Sequence, residues 1–179
     1  MKRQVVNSMD DLDRLERQIQ RSVDTTAGLL KTLLQSRDTL EFFARLKFTE
    51  AGRDPLDCDR TLNVVEQLNQ TFTYLATIGG ARWIISNHPD CQPLVLNLGT
   101  ASGFDIQSQC GRFVAETFAV THPRSNDKLR KDISKIQQVA ADHRFVFYIS
   151  RLAPPPVAVP GVTVVRLEFP VLAALNSDA

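Results

Sequence analysis

Between Met9 and Glu50 apolar residues recur with a helical period, and no proline interrupts them. With Leu12 as the first position of a heptad, Leu12, Ile19, Thr26, Leu33 and Leu40 fall on one line. Leu15, Ser22, Leu29, Ser36 and Phe43 fall on the line beside it. Such a mostly apolar stripe predicts an amphipathic helix and suggests a coiled-coil seam. Gly28, next to two threonines, is its weakest point, so a hairpin of two helices satisfies the pattern as well. A helix packed on its own domain competes equally with a dimer seam. "AGRDPLDCD" then ends the helical pattern, with Gly52 and Pro55 as punctuation. Asp59 is placed to cap a second helix running to about Ser86. Its apolar positions, Val64, Leu68, Leu75 and Ile78 beside Leu62, Val65, Phe72 and Ala76, form the wide surface of a helix lying on a sheet. Glu66, Gln70, Thr73 and Thr77 make up the polar remainder.

After the loop-like "SNHPDCQP" the period changes to two. "LVLNLG" (94–99), "GFDIQSQ" (103–109) and "RFVAETFAV" (112–120) are strand candidates joined by hairpin-short connections, which predicts an antiparallel meander. "SNDKLRKDISKIQQVAAD" reads as a helix capped by Ser125 or Asn126, with Leu129, Ile133, Ile136 and Val139 on one face. "RFVFYIS" (144–150), apolar almost throughout, is a buried strand, and a crossover through the preceding helix lays it parallel to 112–120. "APPPVAVPG" is a stiff connector, and "VTVVRLEF" a last strand. The order predicts an α/β fold, a mixed central sheet flanked by helices, with a core of helix, three-stranded meander, helix and strand. Residues 1–52 form an N-terminal helical arm and residues 53–179 the α/β domain.

Composition narrows the partners. The chain of 179 residues suits one compact domain with an appendage. Its 21 basic and 20 acidic side chains nearly cancel, so any attraction to nucleic acid has to be local. The start lacks the apolar run of a signal peptide, and no stretch reaches the length of a membrane span. Cys58, Cys91 and Cys110 are odd in number and widely spaced, which suits reduced thiols and predicts a cytoplasmic protein without a membrane partner. Without a Cys-x-x-Cys pair, zinc is not expected.

The chemistry lies in carboxylates. Val114, Glu116, Phe118 and Val120 share one face of a strand, which puts an acid among residues that are normally buried. An ionised carboxylate taken out of water costs several kcal/mol unless a cation or metal meets it. Asp105 lies on the adjoining strand, and Glu66 on the packed helix offers a third acid. Hard oxygen donors of this kind suit magnesium or manganese. Alternatively Glu116 is solvated at a sheet end, or pairs with Arg82 or Arg112. Downstream, "HPRSNDKLRKDISK" (122–135) sets Arg124, Lys128, Arg130, Lys131 and Lys135 against Asp127 and Asp132. That surplus suits a phosphodiester, and equally an ordinary helix surface. Free N–H groups near Asn126, at the start of this helix, could hold a phosphate.

Over roughly residues 59–150 this order of elements resembles the core of the PD-(D/E)XK nuclease-like (restriction-endonuclease-like) superfamily. In that superfamily an Asp on the second meander strand and a Glu on the third bind the metal, and a Glu on the preceding helix often assists. The resemblance matches these to Asp105 of "GFDI", Glu116 of "AETFA" and Glu66 of "NVVEQLNQ". It implies a Mg2+ (or Mn2+) dependent nuclease with Asp105, Glu116 and Glu66 as metal ligands, acting on nucleic acid, DNA before RNA. The superfamily pattern also asks for a lysine two residues after the Glu, where this chain has Phe118. Some members supply that lysine from a neighbouring element, which points to Lys128 as the catalytic cation. Arg124, Asn126, Arg130 and Lys131 would then meet the nucleic acid. Phe118 equally motivates a catalytically inactive nuclease-like module that binds nucleic acid or protein, with homo-oligomers formed through the N-terminal helices. Neither "TIGGARW" nor "LGTASGFD" is a phosphate-binding loop or dinucleotide fingerprint, and no nucleophile elbow is present.

Overall fold

The computed structural model describes residues 3–35, 38–99, 102–122, 125–152 and 159–170. In chain order its elements are β1 (Arg3–Val6), α1 (Met9–Leu33), α2 (Thr39–Phe48), β2 (Gly52–Asp54), β3 (Asp57–Leu62), α3 (Val64–Asn87), β4 (Leu94–Asn97), β5 (Ile106–Ser108), β6 (Phe113–Ala119), α4 (Lys128–Gln137), β7 (His143–Ile149) and β8 (Thr163–Arg166). The chain divides into two compact units, one of Met1–Met9 with Leu75–Ala179, the other of Asp10–Tyr74. The division falls inside α3. Arg3–Val6, within the segment read above as a helical arm, joins the sheet unit as a strand by pairing antiparallel with β4, Val6 opposite Leu94.

In the sheet unit six strands lie in the order β1-β4-β5-β6-β7-β8. β4, β5 and β6 form the expected antiparallel meander. β6 and β7 run parallel, with Glu116 opposite Val146, and β8 adds parallel to β7. The fold is therefore α/β with a mixed sheet, as the order of elements predicts. Alternation sorts the side chains to two faces. On one, the second half of α3 covers the sheet. A Cβ on Gly80 would come within 2.7 Å of Phe147 and 3.1 Å of Ile106, so only glycine allows this approach. Trp83 packs its ring on Phe145 and Phe147. On the other face Leu129, Ile133 and Ile136 of α4 pack against Val114, Phe118, Val146 and Tyr148.

α4 starts at Lys128, later than the sequence suggests. Asn126 and Asp127 both have left-handed backbone, with φ of 55° and 54°, so neither continues a helix, and Asp127 makes no side-chain cap.

In the other unit α1 buries Leu12, Leu15, Ile19, Ser22 and Thr26. Thr26 Oγ1 donates to Gln67 Oε1 at 2.7 Å, and that oxygen also accepts from the Arg53 amide at 2.8 Å. The first half of the heptad stripe is thus used within the chain. The helical pattern breaks after Leu33 instead of at Gly28, and Asp38 caps α2 by accepting from the Leu40 and Glu41 amides. α2 buries none of its residues, and Leu40, Phe43 and Phe48 are exposed. Ser36 lies outside the described residues. Asp59 falls in β3, and Asn63 caps α3 in its place, Oδ1 accepting from the Glu66 amide at 2.8 Å. Among the described residues no helix is long and apolar enough to cross a membrane.

Candidate active site of buried carboxylates and lysines

Glu116 stands fourth in the seven-residue strand β6, between Val114 and Phe118 on the face that α4 covers. It is 3% exposed. The register that sets Ile106 opposite Ala115 brings Asp105, one step before β5, beside Glu116 and Thr117. Asp105 Oδ2 accepts from the Thr117 amide at 2.7 Å and from Thr117 Oγ1 at 3.2 Å. Thr117 Oγ1 also lies 2.7 Å from Thr77 Oγ1. Because the single Thr117 hydroxyl proton goes to Asp105, Thr77 is the donor in that pair. Thr77, expected on the polar side of its helix, is therefore buried and anchors α3 to this network.

α4 supplies the cations. Lys128, Asp132 and Lys135 stand at steps of four and three, which places them along one face of the helix. Lys135 Nζ donates to Glu116 Oε1 at 2.6 Å and to the Gly103 carbonyl at 3.1 Å, and lies 5.4 Å from the centre of the Phe104 ring. Lys128 Nζ donates to Asp132 Oδ1, also at 2.6 Å. The two pairs are alike: each buries its carboxylate, 4% and 5% exposed, and leaves its lysine about half in water, 49% and 41% exposed.

The electrostatics follow from burial. Loss of water pushes the Glu116 carboxyl up to about 7, Lys135 opposes this, and the charges of Asp105 and Asp132 add to it. Burial also raises Asp105, against the two Thr117 donors and the charges of Lys128 and Lys135. Asp132 rises for the same first reason, against Lys128. Three mutually repelling carboxyls with upward pressure on their pKa values form a functional-site candidate in physical terms.

The site differs in detail from the sequence expectation. Asp105 and Glu116 come together as expected. The ammonium on Glu116 is that of Lys135, whereas Lys128 is held by Asp132. The sequence shows both lysines, two helical turns apart, but which turn faces Glu116 depends on where α4 begins and how it lies on the sheet. The expected alternative partner Arg112 is paired with Asp142 at 2.6 Å. Phe118, at the position where the superfamily carries lysine, stacks on Tyr148 within the core. Glu66 belongs to the other compact unit, where it is exposed and accepts from Gln70 Nε2 at 3.2 Å. Arg130 and Lys131 are exposed, Arg130 paired with Asp127 and Lys131 donating to the Asn126 carbonyl at 3.0 Å. Asn126 is exposed on the left-handed turn before α4. Arg124 lies outside the described residues.

Among the described residues no three of His, Cys, Asp and Glu are grouped so as to hold a metal ion by themselves. Asp105 and Glu116 remain as a pair of hard oxygen donors. That is an adequate protein share for Mg2+, which keeps several waters and is commonly bound through one or two carboxylates plus substrate phosphate. On α4, Asp132 Oδ2 is buried and without a hydrogen-bond partner. Compared with protein-family models, with curated proteins and with solved structures, the chain matches none.

Proposed function

We propose that this cluster hydrolyses phosphodiester bonds in nucleic acid with the help of Mg2+ or Mn2+. The observation that carries the reading is Glu116: a carboxylate 3% exposed, beside Asp105, with the Lys135 ammonium 2.6 Å from its oxygen. Asp105 and Glu116 would hold the ion, which when bound polarises a phosphate and lowers the pKa of a coordinated water. Lys135, half exposed, is free to turn its ammonium toward an incoming phosphate or attacking water once Glu116 is otherwise occupied. Thr117 fixes the Asp105 oxygen, so the acid is pre-oriented. Arg130 and Lys131, exposed on the same helix, offer salt-sensitive contacts to the nucleic-acid backbone.

The test is cleavage of single- and double-stranded DNA and RNA with Mg2+ or Mn2+. Asp105→Asn and Glu116→Gln should abolish cleavage, and Lys135→Met should slow it by on the order of a hundredfold or more. Cleavage that survives all three changes would refute the reading. A second reading, an inactive module that binds nucleic acid or protein, draws support from the exposed apolar side chains of α2, Leu40, Phe43 and Phe48. Binding without cleavage on every substrate would favour it.

A further inference from the structure

α2 is apolar over more of its surface than one packing face requires. Phe42 and Leu46, one helical turn apart, are partly buried, and such a stripe toward its own domain is all that a surface helix needs. Leu40, Phe43 and Phe48 lie on the other side of the helix and are 77%, 66% and 81% exposed. At that exposure they present roughly 400 Å2 of apolar surface, about half of the ~800 Å2 that each partner gives to a standard interface. Apolar surface gathered on this scale marks an interaction site, as scattered exposed residues do not. The earlier part of the heptad stripe is not available for a seam, since Leu12, Leu15, Ile19, Ser22 and Thr26 are buried within the chain.

The charges of α2 indicate what covers it. The Asp38 cap and Glu41 make its start acidic, and Arg45 and Lys47 make its last turn basic. A second α2 laid antiparallel meets each half with its opposite, and brings opposite ends of the two helix dipoles together. A parallel copy would set like charges side by side. Glu41 and Arg45 stand two residues either side of Phe43 on one flank of the exposed apolar side. A twofold axis at Phe43 therefore sets Glu41 of each copy across from Arg45 of the other, with the two Phe43 rings meeting on the axis. Within one chain these side chains pair at 2.6 Å, yet both stay about half exposed, 47% and 48%, and within reach of a partner's charges. A membrane surface fits less well, because anionic lipid favours a basic polar face and repels Asp38 and Glu41.

We propose that α2 is a self-association surface whose partner is a second copy of this chain, α2 packing antiparallel on α2 about a twofold axis at Phe43. This surface is independent of the chemistry at Glu116.

The experiment is sedimentation equilibrium of the full chain over about 1–100 µM, in reducing buffer because Cys58 and Cys110 are exposed. The unaltered protein is compared with Phe43→Glu, Glu41→Arg and Arg45→Glu, with melting curves for each and an equimolar mixture of the last two. The unaltered protein should dimerise with a micromolar constant. Phe43→Glu should weaken the dimer about tenfold or more, with the melting temperature of dilute protein unchanged. Glu41→Arg makes the flank wholly basic and Arg45→Glu makes it wholly acidic, so each alone should associate a few-fold more weakly. Their mixture should associate more tightly than either, which only two copies of one surface can produce. A monomer at the highest concentration would overturn the proposal, and so would undiminished dimers of Phe43→Glu or a mixture no tighter than its components. Phe43-dependent binding of a monomer to phosphatidylcholine–phosphatidylglycerol vesicles would overturn it as well, and assign the surface to a membrane.

Discussion

Replacing Glu116 by Gln should stabilise the metal-free protein above pH 7, although it removes one partner of an ion pair. Burial first, then the charges of Asp105 and Asp132, carry the carboxyl from 4.5 up to about 7 in the folded state, in spite of Lys135. The folded protein thus holds this proton more tightly than the unfolded chain. Its contribution to stability is fully present below pH 4.5 and is lost as pH rises through 7. At about 1.4 kcal/mol per pK unit, that interval amounts to a loss of ~3 kcal/mol at pH 8. Gln has the shape of the protonated acid and does not titrate. Lys135, about half in water already, loses little by giving up its partner. The difference between the two proteins should therefore grow from near zero at pH 4 to ~3 kcal/mol in the variant's favour at pH 8. Urea unfolding in EDTA across that range measures it, and a carbon-13 titration of the Glu116 carboxyl gives the midpoint directly. A difference that does not change with pH, or a variant less stable at pH 8, would refute the reasoning. So would a midpoint at or below 4.5: the Lys135 pair would then outweigh desolvation. If the reasoning holds, Mn2+ affinity should climb with pH up to about 7 and level off, because the ion displaces that proton.

Two further changes test the scaffold around the site. Gly80→Ala drives a methyl within 2.7 Å of Phe147 and 3.1 Å of Ile106 and should cost about 1–3 kcal/mol. Gly28→Ala, with nothing within 4 Å, should instead gain ~0.5–1 kcal/mol; melting curves showing no difference between the two would contradict the packing of α3 on β7. Phe118→Lys should cost about 3 kcal/mol or more and leave any cleavage no faster, since it empties a stacked core position while Lys135 already serves Glu116. A stable variant with faster cleavage would return the lysine's role to the strand.

Periodicity alone carries the meander, the helix after it and the parallel strand, because alternation along Val114, Glu116 and Phe118 and the helical spacing of Leu129, Ile133 and Ile136 are local consequences of backbone geometry. It carries Asp105 and Glu116 as neighbours for the same reason: a short hairpin leaves two strands little choice but to pair. β1 escapes such reading, since "RQVV" is too short to show a period and becomes a strand only by lying against β4. The β2–β3 hairpin escapes too, because its exposed, polar second strand has no apolar alternation to reveal it. Gly28 misleads: a helix whose neighbours leave the glycine in open space tolerates it, and the break falls at the Asp38 cap instead.

What the sequence settled by itself is the succession of elements and the presence of an acid on an apolar strand face. Only the tertiary structure decided that Lys135 and not Lys128 meets that acid, that Asp132 is buried with an oxygen unmet, and that Thr77 and Thr117 hold Asp105. The reason is one of range. Backbone geometry acts over a few residues and is written in local spacing, whereas a 2.6 Å contact between residues nineteen apart depends on where a helix starts and which way it is rolled on the sheet.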